Sequence, residues 1–174
     1  MTRPRLVLVA VAALGVALLL LLRDSSPDRS ADTGAATTRA LFDVELTTFE
    51  GDVVTLGSYA DGRPLVVNFF ASWCGPCVRE MPGFEAVHLR RGHEVRFVGV
   101  NLQEAARPAL DLVTQTGVTY EVVRDVEGEL FRAAKGFSMP TTVFLTADGE
   151  VIDVRGGELS QRALDSMIDR LVER

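Results

Sequence analysis

The chain has 174 residues, 47% apolar and 24% charged, which suits one globular domain with something additional. Its formal net charge is -6, and its eighteen basic residues are scattered, with Arg90-Arg91 the only adjacent pair. That excludes a nucleic-acid surface, because phosphate binding needs clustered Lys and Arg.

The additional part comes first. Leu6 to Leu22 carries no polar side chain, with Arg3 and Arg5 before it and Arg23 and Asp24 after it. A cleavable signal wants small residues just past the apolar core, but leucines and charges stand there, so residues 1–23 are expected to remain as a signal-anchor. At about 1.5 Å per residue the run is slightly short for a bilayer core of about 30 Å, so its flanks must contribute. Arg3 and Arg5 hold the N-terminus in the cytoplasm, which places the rest on the extracytoplasmic side of the cell membrane. No cysteine ends the run, which argues against a lipoprotein. Residues 24–39 are rich in Ser, Asp, Thr, Ala and Gly, carry no large apolar residue and read as a flexible linker.

Residues 40–174 then read as the folded domain. Phe42, Val44 and Leu46 alternate with polar residues, and "VVTL" follows Gly51, which predicts an N-terminal β-hairpin. "PLVVNFFAS" is a short continuous apolar run, the pattern of a strand buried on both faces. A helix from about Gly75 to Arg91 follows. "EVRFVGVNL" predicts a strand, "EAARPALDLVTQTG" a helix ending at Gly117, "YEVVRD" a strand, and "GELFRAAKG" a short helix stopping at Gly136. "TTVFLT" and "EVIDVRG" form a hairpin through Asp148-Gly149. Ser160 to Arg174 repeats apolar pairs at helical spacing, so one face packs inward. Alternating helices and strands closed by a hairpin predict an α/β sandwich with a mixed sheet.

Both cysteines lie in "FFASWCGPCVREMP", Phe69 to Pro82. A Cys-x-x-Cys pair closes almost no loop, so it contributes little as a staple, and chemistry is the better reason for it. A strand running into Cys74, with a helix beginning at the next residue, places that sulfur where backbone N–H groups and the helix dipole favour thiolate. Cys74 is therefore expected to be the nucleophile. Cys77, most of a turn further in, is more shielded and suits the resolving role. Pro76 in the first turn costs no hydrogen bond and helps start the helix. Zinc is the competing reading, since His88 and His93 follow at near zinc-finger spacing. On one helix, however, Cys77 and His88 would be about 16 Å apart, far beyond zinc-ligand bonds of about 2.0–2.3 Å. The histidines are expected at the surface near a helix end, and neither metal nor cofactor is expected.

"FFASWCGPCVREMP" and "GFSMPTTVFLTADGEV" together resemble the thioredoxin superfamily. Within it they resemble the membrane-anchored TlpA/ResA/CcmG(DsbE)-like thiol-disulfide oxidoreductases, over nearly all of residues 40–174. The resemblance implies a thioredoxin-like α/β/α sandwich with an added N-terminal hairpin. It implies that Pro140 is a cis-proline beside the disulfide, with Met139 its substrate-facing neighbour. Without the resemblance, cis would be expected at only about 5% of such bonds. Trp73 matches the family's tryptophan before the nucleophile, although its ring could equally just cover the sheet edge. Gly75 and Pro76 are the intervening pair of reducing thioredoxins.

Glu80 lies three residues after Cys77 on the same helix face. By itself it reads as a solvated helix glutamate. The group's C-x-x-C-x-x-E-x-P arrangement instead implies a carboxylate that raises thiol pKa values and exchanges a proton with Cys77. Asn68 stands where general thioredoxins have a buried acid, and it cannot relay a proton.

The resemblance implies extracytoplasmic reduction of protein disulfides, for example in apocytochrome c. Recharging would come from a membrane electron-transfer protein, and a monomer is expected. The alternatives are an oxidase that donates its disulfide to secreted proteins and a non-enzymatic redox-assembly module. A thiol peroxidase is disfavoured because no P-x3-[TS]-x2-C loop is present.

Overall fold

The computed structural model describes residues 41–173. The expected anchor and linker lie outside the described residues. Among the described residues no helix is long and apolar enough to cross a membrane.

Among the described residues seven strands form one sheet: β1 (Glu45–Thr47), β2 (Val53–Thr55), β3 (Leu65–Phe70), β4 (Arg96–Leu102), β5 (Glu121–Asp125), β6 (Thr141–Leu145) and β7 (Val151–Gly156). Their order is β2-β1-β5-β4-β3-β6-β7. β3 pairs parallel with β4, and β4 with β5, while the remaining neighbours are antiparallel, so the sheet is mixed. The helices are α1 (Gly75–Arg91), α2 (Ala106–Thr116), α3 (Glu129–Ala133) and α4 (Gln161–Val172), with a 3-10 turn at Leu56–Tyr59. The N-terminal hairpin is present but shorter than the alternation predicts, beginning at Glu45 rather than Phe42.

The chain steps from β3 to β4 to β5 in one direction along the sheet. Right-handed crossovers then put α1 and α2 on the same face. α4 joins them there, and Phe70, Phe84, Phe97, Leu112, Phe144 and Ile168 fill the space between. The opposite face is covered by α3, the 3-10 turn and Leu41, around Val67, Phe69, Val98 and Val143. Phe69 meets Phe131 edge-on at 5.2 Å between ring centroids. All six residues of β3 are buried, as expected of a strand covered on both sides. Its period of two sends Val66, Asn68 and Phe70 toward α1 and Leu65, Val67 and Phe69 the other way.

Local chemistry sets the element ends. α2 stops at Gly117, which adopts φ +70° and donates its N–H to the Val113 carbonyl, a left-handed cap natural to glycine. Ser160 caps α4 by accepting from the Ala163 N–H. Buried Asp125 accepts from the N–H groups of Glu129 and Phe131 and so pins the start of α3. Arg91 bridges to Asp169 at 2.8 Å and to Asp165 at 3.9 Å, and Arg90 to Asp165 at 2.9 Å, so three ion pairs tie α1 to α4.

Candidate active site

β3 ends at Phe70, and Ala71, Ser72 and Trp73 carry the chain to Cys74, the N-cap of α1. The two sulfurs are joined as a disulfide, with Cα atoms 5.3 Å apart. The Cys77 N–H donates to Cys74 Sγ at 3.2 Å. Cys77 is wholly buried, whereas Cys74 keeps 4% of its surface exposed. Gly75 and Pro76 occupy the first two helical positions, and the Trp73 ring is 63% exposed.

The Met139-Pro140 peptide is cis. Phe69 is registered opposite Thr141, so Pro140 stands at the end of β3 that leads to Cys74. The Pro140 carbonyl accepts from the Gly157 N–H at 2.8 Å, and Met139 packs against both cores. Phe137 is a further residue at this end of the site. It is 73% exposed, and its ring lies so close over Gly156 that a Cβ there would be 2.6 Å from it. No sequence pattern marks it except its place three residues before Pro140.

Glu80 is not a solvated helix glutamate. It is only 3% exposed and lies between α1, β3 and the loop after β7. One carboxylate oxygen accepts from Asn68 Nδ2 and the other from the Leu159 N–H, both at 2.9 Å. Burial pushes the carboxyl up to about 7 from its ordinary 4.5. The two donors pull against that shift, and the Glu158 charge adds to it. Glu158 itself pairs with Arg79 at 2.8 Å across the rim of the same loop.

Glu104 belongs to the site too, although no motif marks it. Its carboxylate accepts from the Ser72 N–H at 3.1 Å, from the Ser72 hydroxyl, and from Asn101 Nδ2 at 2.8 Å. It therefore holds the turn that delivers Trp73 and Cys74. The available signal was its position just past the carboxyl end of a parallel strand, where sites in α/β sheets collect.

His88 is half-buried rather than at the surface, and stacks edge-on with Phe97 and Tyr120. Burial holds its pKa below the ordinary imidazole value. The apolar stripe of α1 explains the difference, because His88 follows Phe84 by four residues and shares its face. His93 is exposed and lies beside Glu94. The structure brings neither histidine to the sulfurs as a ligand set: among the described residues no group of three His, Cys, Asp or Glu could hold a metal ion.

Two sulfurs that can be joined or separated at the head of a helix store two electrons. The domain built around them is that of a thioredoxin-like thiol-disulfide oxidoreductase. The chain matches the redoxin family over residues 31–170 and belongs to it. It is 25% identical to the thiol-disulfide oxidoreductase ResA of Geobacillus kaustophilus over 130 residues, 74% of each protein. It is 26% identical to the sporulation thiol-disulfide oxidoreductase A of Bacillus subtilis, over 67% of this chain and 72% of that protein. A solved thiol:disulfide interchange protein of the thioredoxin family from Chlorobium tepidum superposes with a TM-score of 0.64 at 27% identity. That match covers 74% of this chain and 92% of the other.

Proposed function

We propose that this oxidoreductase is a membrane-tethered, extracytoplasmic reductase of protein disulfides, with apocytochrome c as an example of its substrates. Cys74 attacks the substrate disulfide, and Cys77 resolves the mixed disulfide to release a reduced substrate. Trp73, Gly75, Pro76, Met139 and Pro140 form the surface on which the substrate chain lies, and Phe137 extends it. Glu80 holds the proton that Cys77 gives up when it attacks and returns it on recharging. A membrane electron-transfer protein resupplies the electrons, and the apolar run from Leu6 to Leu22 is the tether.

The observation that carries the direction is the buried Glu80 carboxyl, three residues from Cys77. A negative charge there destabilises thiolate, and the strongest disulfide donors owe their oxidising power to a stabilised reduced form. The opposing observation is the Cys77 N–H directed at Cys74 Sγ, which stabilises thiolate and supports the oxidase reading.

Measuring the reduction potential decides between them. A value near that of thioredoxin, about -270 mV, is expected, and one near about -120 mV would overturn the reductase.

A further inference from the structure

Both partners of the Glu80 carboxylate are donors: Asn68 Nδ2 on one oxygen and the Leu159 N–H on the other. That arrangement suits an ionised carboxylate, which only accepts. A protonated carboxyl also has an O–H to place, and in a buried site it needs an acceptor. The Leu159 N–H is part of the main chain and cannot become one. The Asn68 carboxamide can, because its two ends have nearly the same size and a half-turn about the terminal torsion exchanges them in the same space.

The surroundings of Asn68 fit both orientations. Nδ2 also lies 3.4 Å from Thr142 Oγ1, and a hydroxyl there can accept from the amide nitrogen or donate to the amide oxygen. Asn68 Oδ1 is buried and has no hydrogen-bond partner among the described residues. With the N–H end toward Glu80, the carbonyl oxygen is thus unused. After a half-turn it would accept from Glu80 and from Thr142 together, and the NH2 group would move to the unused position. Each orientation leaves one end of the amide unsatisfied, so neither locks the side chain.

We propose that Asn68 is the positioning residue for the Glu80 proton. It presents N–H to the ionised carboxylate and turns over to present its carbonyl when Glu80 is protonated. Asn68 relays no proton; it reverses the polarity of its hydrogen bond so that Glu80 can hold one in a buried site. Aspartate at 68 would add a second ionisable group, and leucine would serve neither state.

The other groups around Glu80 do not supply this reversal. Thr142 on β6 is uncharged, and the Glu158 carboxylate in the loop after β7 is engaged by Arg79 of α1. Buried Tyr120 feels the Glu80 charge but makes no hydrogen bond to it, and the joined cysteines do not titrate.

This inference rests on the reading of Glu80 as a group that changes protonation, and the experiment follows the two separately. Asn68 and Asn101 are the only asparagines in the chain. The full-length oxidised protein, carrying 15N in asparagine side chains and 13C at glutamate carboxyls, is titrated by NMR. The Glu80 carboxyl should titrate near neutrality. The Asn68 NH2 signals should shift with the same midpoint and lose their contacts to the Glu80 methylenes below it, while Asn101 holds its contacts. A titrating Glu80 beside an Asn68 amide that keeps its contacts throughout overturns the inference and leaves the proposed function standing. A Glu80 that does not titrate between pH 5 and 9 overturns the inference together with the proton-holding role proposed for Glu80.

Asn68→Leu gives an independent readout. If Asn68 serves both states, its loss removes a bond to the carboxylate and a somewhat weaker one to the neutral carboxyl, and the Glu80 midpoint should rise by less than about one pH unit. A fixed donor serves only the carboxylate, so its loss would raise the midpoint by about one to two units, the worth of one hydrogen bond to a charged group.

Discussion

The main-chain N–H of Cys77 is hydrogen-bonded to the sulfur of Cys74, 3.2 Å away. This donor belongs to the backbone and survives any change of the Cys77 side chain. Cys77→Ala should therefore leave Cys74 reactive and accumulate a mixed disulfide with substrate, visible on a non-reducing gel. Cys74→Ala should trap nothing, because the remaining sulfur is wholly buried. Alkylation of the reduced wild type should be faster at Cys74 by at least about tenfold. Equal trapping by the two variants would contradict the division of roles.

Glu80 gives stability a pH dependence of definite sign. Its carboxyl ionises near 4.5 in the unfolded chain but only at about 7 in the folded one. The folded state therefore loses stability as pH rises from about 4.5 to about 7 and stays at the lower level above that. A shift of this size corresponds to about 3 kcal/mol. Glutamine has no proton to lose. The stability of Glu80→Gln relative to wild type, from urea unfolding of the oxidised proteins, should thus improve by that order between pH 4 and pH 8. Parallel curves would mean that Glu80 titrates as an ordinary carboxylate.

Glu104→Ala would remove the acceptor for the Ser72 N–H and hydroxyl and for buried Asn101. Leaving such donors unpaired costs about 1–3 kcal/mol for each buried group, so a loss of about 2 kcal/mol is expected. Thiol exchange should slow as well, because the turn before Cys74 loses its support. Glu104→Gln, which keeps one acceptor oxygen, should recover part of both effects.

A Cβ at position 156 would meet the Ser138 hydroxyl and the Phe137 ring. The ring is exposed and can swing away, so Gly156→Ala should change stability by less than about 1 kcal/mol. Turnover of protein disulfides should nevertheless suffer through a higher KM, with exchange against a small dithiol unchanged. If protein turnover is also unchanged, Phe137 takes no part in docking.

Removing residues 1–39 should release the protein from the membrane fraction with its exchange activity intact. In whole cells, an added protease should reach the domain of the full-length chain only from the extracytoplasmic side. Equal recovery of both forms in the soluble fraction would overturn the tether.

Local pattern carried much of the fold. The buried run of β3, the helix start at Cys74-Gly75-Pro76 and the glycine end of α2 depend on neighbours within a few residues, and these are visible in the sequence. The cis peptide before Pro140 was reachable only through family resemblance, since nothing local distinguishes it. Hydrogen bonds between distant residues were not legible. Asn68 and Glu80 are twelve residues apart, Ser72 and Glu104 thirty-two, and Glu80 and Leu159 seventy-nine. Helical spacing brought Glu80 to the cysteine face, but only the closure of the β7–α4 loop over it decides that it is buried. His88 departs from expectation for a related reason: a ring nitrogen suggests solvent, while its place four residues after Phe84 turns it toward the rings of Phe97 and Tyr120.

In the loop after β7, Gly157 holds Pro140, Glu158 holds Arg79, and Leu159 holds Glu80. The acid is thus not portable on its own. Grafting a glutamate three residues after the second cysteine of another thioredoxin-like domain would import a charge without its seat, and the side chain would turn to water. A transplant would have to carry Gly157 to Leu159 and an asparagine equivalent to Asn68 along with it.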